Sequence, residues 1–329
     1  MSFRFTFLQD KYTEEGNTSK VIDFINELLF NPNVKNNKFD KKAFELAKNE
    51  VIEEIKTFDE NKNAYSQLKM LEHMDSSSPA SIKIVGSLEE LKNITPENLY
   101  EFYLEVFNKS IIDAFTFGDV EESDLSFLNG RGIHKKLDYV YSSKTKEPKT
   151  YTEKDNINQS RLVMGYNLID LTIKEAEYAM QVYLHILGLG PSSKLFMNVR
   201  EKNSLCYSIS ANARYINSLM TINAGIDAVN YDKAVALINK QVESMKKGNF
   251  NKEDVEFAKL SLKTSYQDIL ENPYTIISSY EATSYIGYDP IKKRIKEIDK
   301  VTIEDVKKVA NKVKLNTIFL LEGKKKWKR

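Results

Sequence analysis

The chain has 329 residues, with 48 lysines and arginines against 47 aspartates and glutamates, for a formal net charge of +1. That balance supplies no bulk field toward nucleic acid or anionic lipid, and 41% hydrophobic with 29% charged residues is a globular mix rather than a disordered one. A single cysteine, Cys206, excludes an internal disulfide and a multi-cysteine metal site and suits a reducing compartment, so a cytoplasmic location is expected. No run reaches the roughly 18 apolar residues of a membrane span.

From the amino terminus, Phe3, Phe5 and Phe7 alternate with Arg4 and Thr6, a period of two that predicts a strand over 3–8. Val21, Ile25, Leu28 and Leu29 form the apolar stripe of a helix over 18–30, ended by Asn31-Pro32-Asn33. A second helix is predicted from Lys41 to Thr57, with Phe44, Ala47, Val51, Ile55 and Phe58 on one face, and a third from Asn63 to Met74. Ser76-Ser77-Ser78-Pro79 reads as a loop, Thr95-Pro96-Glu97 as a capped helix start, and Ile111 to Phe117 as a strand closed by Gly118-Asp119.

The chain carries one unit twice. Phe39 to Lys48, FDKKAFELAK, is answered by Phe250 to Lys259, FNKEDVEFAK, at an offset of 211. Lys20 to Asn26 is answered by Lys233 to Asn239 at 213, and Ile94 to Leu99 by Val301 to Val306 at 207. A steady offset over three segments argues for duplication. The second copy begins near residue 150, so the first copy is expected to lack roughly 65 residues that the second retains. The expected organisation is a truncated first half-unit over 1–120, a polar linker over 121–150 and a complete second half-unit over 151–329.

In the second copy, strands are predicted at 160–167, 219–226 and 317–321. Helices are predicted at 173–187, from Ser192 or Ser193, at 231–247, at 251–270 and after Thr302. Strands and helices are mixed without repeated strand-helix-strand crossovers. The fold class is therefore α+β: two homologous halves, each an antiparallel sheet covered by helices.

The stretch Leu187-Gly188-Leu189-Gly190-Pro191-Ser192-Ser193-Lys194-Leu195-Phe196, followed by Val199-Arg200-Glu201-Lys202-Asn203-Ser204-Leu205-Cys206-Tyr207-Ser208, closely resembles the C-terminal half of pitrilysin/insulinase-type metallopeptidases, the inverzincins, where a GGGxSSRLF…REKxGLAYS pattern recurs. The Thr-Pro-Glu helix start and the duplication fit that family too. The resemblance implies an insulinase-like fold, and in particular a non-catalytic bacterial member that acts beside a zinc-bearing paralogue. In the family the first half carries H-x-x-E-H, whose histidines bind zinc and whose glutamate is the general base, and a later glutamate is the third ligand. The second half gives an Arg and a Tyr, seven residues apart, to the substrate backbone. Arg200 and Tyr207 match that pair and are the expected substrate-binding residues.

No catalytic residue is expected, because H-x-x-E-H occurs nowhere in the chain. The histidines are His73, His134 and His185. Leu71-Glu72-His73-Met74 mimics the end of the motif, but Lys69 stands where its first histidine would be, and Gln181 stands four before His185. Glu54 falls at the third-ligand position, at the edge of its helix's apolar stripe, but one carboxylate alone does not hold zinc. No metal is therefore expected in this chain, with zinc kept for the family and the partner. Gly188 to Lys194 lacks phosphate-loop spacing, and a turn with a serine cap accounts for it. Cys206 reads as a small buried hydrophobe, His73 as a surface or packing histidine, His134 as exposed linker and the basic tail from Lys324 as a solvated terminus.

The expected function is a non-catalytic insulinase-like homologue that binds and positions peptide as partner of a zinc-bearing paralogue. The alternatives are a zinc metallopeptidase whose H-x-x-E-H segment is absent from this chain, and a scaffold that no longer binds peptide. Expected partners are a paralogous zinc-motif subunit or a second copy, with a peptide or small protein as substrate and neither nucleic acid nor membrane.

Overall fold

Helix caps and apolar stripes in the sequence set most of the elements of the computed structural model, which describes residues 2–133, 135 and 140–324. In chain order these are α1 (Asn17–Phe30), β1 (Val34–Lys35), β2 (Lys38–Phe39), α2 (Lys41–Glu60), α3 (Lys62–Met74), α4 (Leu88–Leu91) and α5 (Pro96–Lys109). They are followed by β3 (Lys149–Lys154), β4 (Ser160–Leu168), α6 (Met180–Gly188), β5 (Cys206–Arg214), β6 (Leu219–Ile226), α7 (Tyr231–Lys246), α8 (Lys252–Glu271), α9 (Pro273–Ile286), α10 (Ile291–Glu297), α11 (Ile303–Asn311) and β7 (Val313–Glu322). Among the described residues no helix is long and apolar enough to cross a membrane.

The chain forms two compact units, one of residues 1–56 and 85–137, the other of 57–84 and 138–329. In the first, Asn36 and Asn37 both take left-handed backbone and close the β1–β2 hairpin. An aromatic cluster holds α1, the hairpin and α5: Phe30 meets Phe107 edge-on at 5.1 Å, and Phe39 meets Tyr100 and Tyr103 at 5.7 and 5.9 Å. The Tyr103 hydroxyl donates to the Leu29 carbonyl at 2.6 Å.

Among the described residues, the stretches 3–8 and 111–117, predicted as strands, do not form regular strands. Phe5 and Phe7 are partly buried between exposed Arg4 and Thr6, so the period of two survives in burial.

The second unit is built on a five-stranded mixed sheet of order β3-β7-β4-β6-β5, parallel only between β3 and β7. β4 lies centrally, and every residue in it but Arg161 is buried, the pattern of a strand covered on both faces. On one face α6, α7, α8 and α11 build the main core. On the other, α3 lays Met70 and Met74 against Val163, Leu219, Phe319 and Leu321. The contact is close enough that a Cβ on Gly165 would collide with the Met70 sulfur, which explains a glycine in the middle of a central strand. Residues 57–84, early in the sequence, thus belong to the later compact unit.

Part of the segment expected as a linker is also fixed. A bulge leaves Asn316 of β7 without a partner on β4 between the pairs Gly165–Thr317 and Tyr166–Leu315. Its buried amide donates to Asn167 at 2.7 Å and to the Lys144 carbonyl at 3.2 Å, while Asn167 donates to the Ser143 carbonyl at 3.0 Å. These bonds, with Lys146 Nζ on the His73 and Met74 carbonyls, tie residues 143–146 across the end of α3. His134 and residues 325–329 lie outside the described residues.

The echoed segments make matched contacts. Thr95 and Thr302 each close a capping box, at the starts of α5 and α11. Lys48 of α2 donates to the Ile94 carbonyl at 3.3 Å, and its counterpart Lys259 of α8 donates to the Asp299 carbonyl at 3.0 Å. Asn61 and Asn272 cap α3 and α9. The paired helices differ in burial: α3 buries Ser66, Leu68, Met70 and Met74, whereas α9 buries none of its 14 residues.

Candidate functional site

The candidate site is the segment from Gly188 to Tyr207 and the end of β6 that faces it. Gly188 ends α6 against β5, where a Cβ would stand 2.7 Å from that of Ala211, so the close approach of helix and strand demands glycine. Gly190 has φ +82°, and the Ser193 hydroxyl donates to the Gly190 carbonyl at 2.8 Å. The serine thus closes the turn; it does not accept an amide of the next helix as an N-cap would.

That helix opens into a π-helical turn over Phe196–Glu201, which carries Arg200. Single π turns recur at functional sites because they re-aim side chains out of helical register. The chain then reverses through Ser204, at φ +49°, with the Ser204 amide on the Arg200 carbonyl at 2.9 Å and the Leu205 amide on the Val199 carbonyl at 3.1 Å. It enters β5 at a bulge: Cys206 pairs with Ile226 and Ser208 with Gly225, which leaves Tyr207 as the extra residue. Cys206 therefore points into the core and Tyr207 stands exposed on the outside.

The π turn and the bulge bring Arg200 and Tyr207 into one cleft of about 310 Å³, also lined by Glu201, Ser204, Asp227 and Asn230. The Arg200 guanidinium stacks over the Phe196 ring at 4.5 Å and lies 3.6 Å from the Glu201 carboxylate. The Tyr207 hydroxyl donates to Asp227 Oδ2 at 3.1 Å. Burial pushes the Cys206 thiol up to about 11, outweighing the opposing charge of Arg200. A protonated, buried thiol is no nucleophile, in keeping with the packing role expected of it.

The donor set of a zinc site does not assemble. Glu54 is exposed on α2. His73 stacks flat on Tyr151 at 3.9 Å, which makes it a packing residue. His185 is half-buried on α6, and burial pulls its imidazole below the ordinary value. Among the described residues no three His, Cys, Asp or Glu side chains group closely enough to hold a metal ion. The described residues do not fit zinc.

Asp227 and Asn230 are the cleft residues not anticipated from sequence. The available signal was positional, since they follow directly on the predicted strand at 219–226.

Residues 93–262 match the family described as Peptidase M16 inactive domain. The chain is 26% identical to "Probable inactive metalloprotease YmfF" of Bacillus subtilis (strain 168), over 98% of this chain and 78% of that one. It is 22% identical to "Uncharacterized zinc protease YmxG" of the same strain, over 84% of this chain and 69% of that one. Among solved structures, a conserved protein from Enterococcus faecalis V583 superposes with a TM-score of 0.89 at 27% identity, covering 98% of this chain and 78% of the other. The resemblance to pitrilysin/insulinase-type peptidases and the helix-covered sheet are thereby borne out. The match extends over more than half of the chain, which belongs to the peptidase M16 family and carries its inactive domain.

Proposed function

We propose that this chain is a non-catalytic peptidase homologue that holds an extended peptide and works in the cytoplasm beside a zinc-bearing paralogue. The observation that carries this reading is the shared cleft of Arg200 and Tyr207. A guanidinium and a phenol are both hydrogen-bond donors, suited to the carbonyl oxygens of a peptide backbone. Strand β5 runs on from the cleft and, among the described residues, pairs with β6 alone, so its outer edge can take an added strand. Positioning is a sufficient contribution where a partner supplies the chemistry.

Helix α9 supports the partner. Its counterpart α3 covers a sheet face, whereas α9 has one charged residue, Glu281, and leaves Tyr280 and Tyr285 exposed. A helix of that composition is ordinarily covered by another surface. The partner is a zinc-bearing paralogue, in keeping with a relative, YmxG, that is described as a zinc protease.

The direct test is fluorescence anisotropy with a labelled, unstructured peptide. Arg200→Ala should weaken binding roughly tenfold to a hundredfold, the cost of a lost charge-assisted bond. Tyr207→Phe should weaken it roughly threefold to tenfold, the cost of one neutral hydrogen bond. Unchanged affinity in the double variant would favour a scaffold that does not bind peptide at this cleft.

A further inference from the structure

The cleft carries one guanidinium against two carboxylates, Glu201 and Asp227. Arg200 is already engaged, stacked on Phe196 and paired at 3.6 Å with Glu201. Asp227 is different. It caps the short turn Ala228–Asn230 at the end of β6, with its own carbonyl accepting the Asn230 amide at 2.9 Å, so its backbone is fixed beside the cleft. The Tyr207 phenol, a neutral donor, occupies one of its carboxylate oxygens. Among the described residues no Lys, Arg or His forms an ion pair with Asp227. A half-buried carboxylate with that one neutral donor keeps acceptor capacity for a cation.

We infer that Asp227 makes the cleft charge-selective, so that the peptide it takes presents a cationic group beside Tyr207. This rests on the proposed peptide-binding reading and deepens it. The chemistry required is an ammonium or guanidinium, from a lysine or arginine side chain or from a free amino terminus. Tyr207 holds Asp227 in place through one oxygen, and the incoming cation bonds the other. Arg200 then acts on a backbone carbonyl, so the two ends of the cleft read different parts of one peptide.

The test uses the full chain and four labelled peptides of one sequence. The first is acetylated and amidated with a central lysine; the second and third replace that lysine with norleucine or glutamate; the fourth keeps norleucine but has a free amino terminus. The wild-type protein should bind the lysine peptide about tenfold more tightly than the norleucine peptide, and the glutamate peptide most weakly, with the differences shrinking as salt is added. Asp227→Asn keeps the shape and an acceptor for Tyr207, and should bring the lysine-to-norleucine ratio to about one. Preference for the free amino terminus, abolished by the same substitution, would assign the cation to the peptide's end. A tenfold lysine preference that survives Asp227→Asn would overturn the inference. So would a wild-type protein that binds all four alike while Arg200→Ala still weakens each, which would leave the peptide cleft standing. Failure of all four to bind would remove both readings.

Discussion

Glu177→Ala should cost the second unit about 3–5 kcal/mol of stability, the range for breaking a buried ion pair from one side. Glu177 has no exposed side-chain surface. Its carboxylate accepts from Lys174 at 2.9 Å and from the Asp289 amide, and Arg294 Nε lies 3.5 Å away. That last approach lacks hydrogen-bond alignment, so the contact with Arg294 is one of charge. Arg294 is itself largely buried, stacked over Tyr266 at 4.5 Å, and cannot shed its proton. Alanine would strand that cation and open the loop before α10, where Asp289 is held by Lys174, Tyr178 and Lys293. Hydrogen bonding from Lys174 keeps the Asp289 carboxyl well below its ordinary value, which marks it as charged and engaged in the same network. Glu177→Gln keeps an acceptor for the Asp289 amide and should cost less. Urea denaturation of the three proteins measures both differences, and a loss under about 1 kcal/mol for the alanine variant would show that the network contributes little.

The second unit should also lose about 3 kcal/mol through one carboxylate as pH falls from about 4.5 to about 2. Burial alone would raise the Glu175 carboxyl, but bonds from Lys312 at 2.6 Å and from the Thr172 amide at 2.8 Å overcome it and bring the group down to about 2. Lys308 Nζ stands 3.1 Å from the other oxygen without hydrogen-bond alignment, so Lys312 is the stronger partner. A folded value below the unfolded one means that the contribution is fully present above pH 4.5 and is lost as Glu175 protonates. The gap in unfolding free energy between wild type and Glu175→Gln should therefore close toward pH 2. A gap that stays constant from pH 6 to pH 2 would contradict the account.

What the sequence made legible follows from how local each signal is. Thr95 with Asn98 and Thr302 with Asp305 announce the starts of α5 and α11, and both boxes are formed. The stripes of α1, α2, α7 and α8 likewise needed only neighbours one turn away. β5 escaped notice because the bulge at Tyr207 breaks its alternation: Ile209, Ala211 and Ala213 face inward together with Cys206, which a strict period of two would turn outward. α9 escaped because tyrosines, serines and threonines on all sides leave no stripe. Arg200 and Tyr207 could be singled out as a motif, but the π turn and bulge that bring them together could not. Glu177 looked like any helix acid paired one turn away with Lys174, because Asp289 and Arg294, which complete its network, lie 112 residues and more along the chain. Asn316 likewise acts on a carbonyl 172 residues away.

The most direct test of the central claim is peptide hydrolysis by a zinc-motif paralogue from the same cell, measured alone, with this chain, and with its Arg200→Ala, Tyr207→Phe variant. Little turnover is expected from the paralogue alone, with strong stimulation by the wild-type chain and loss of most of that stimulation with the double variant, while this chain alone cleaves nothing. Equal turnover with and without this chain, or chelator-sensitive cleavage by this chain alone, would contradict the central claim.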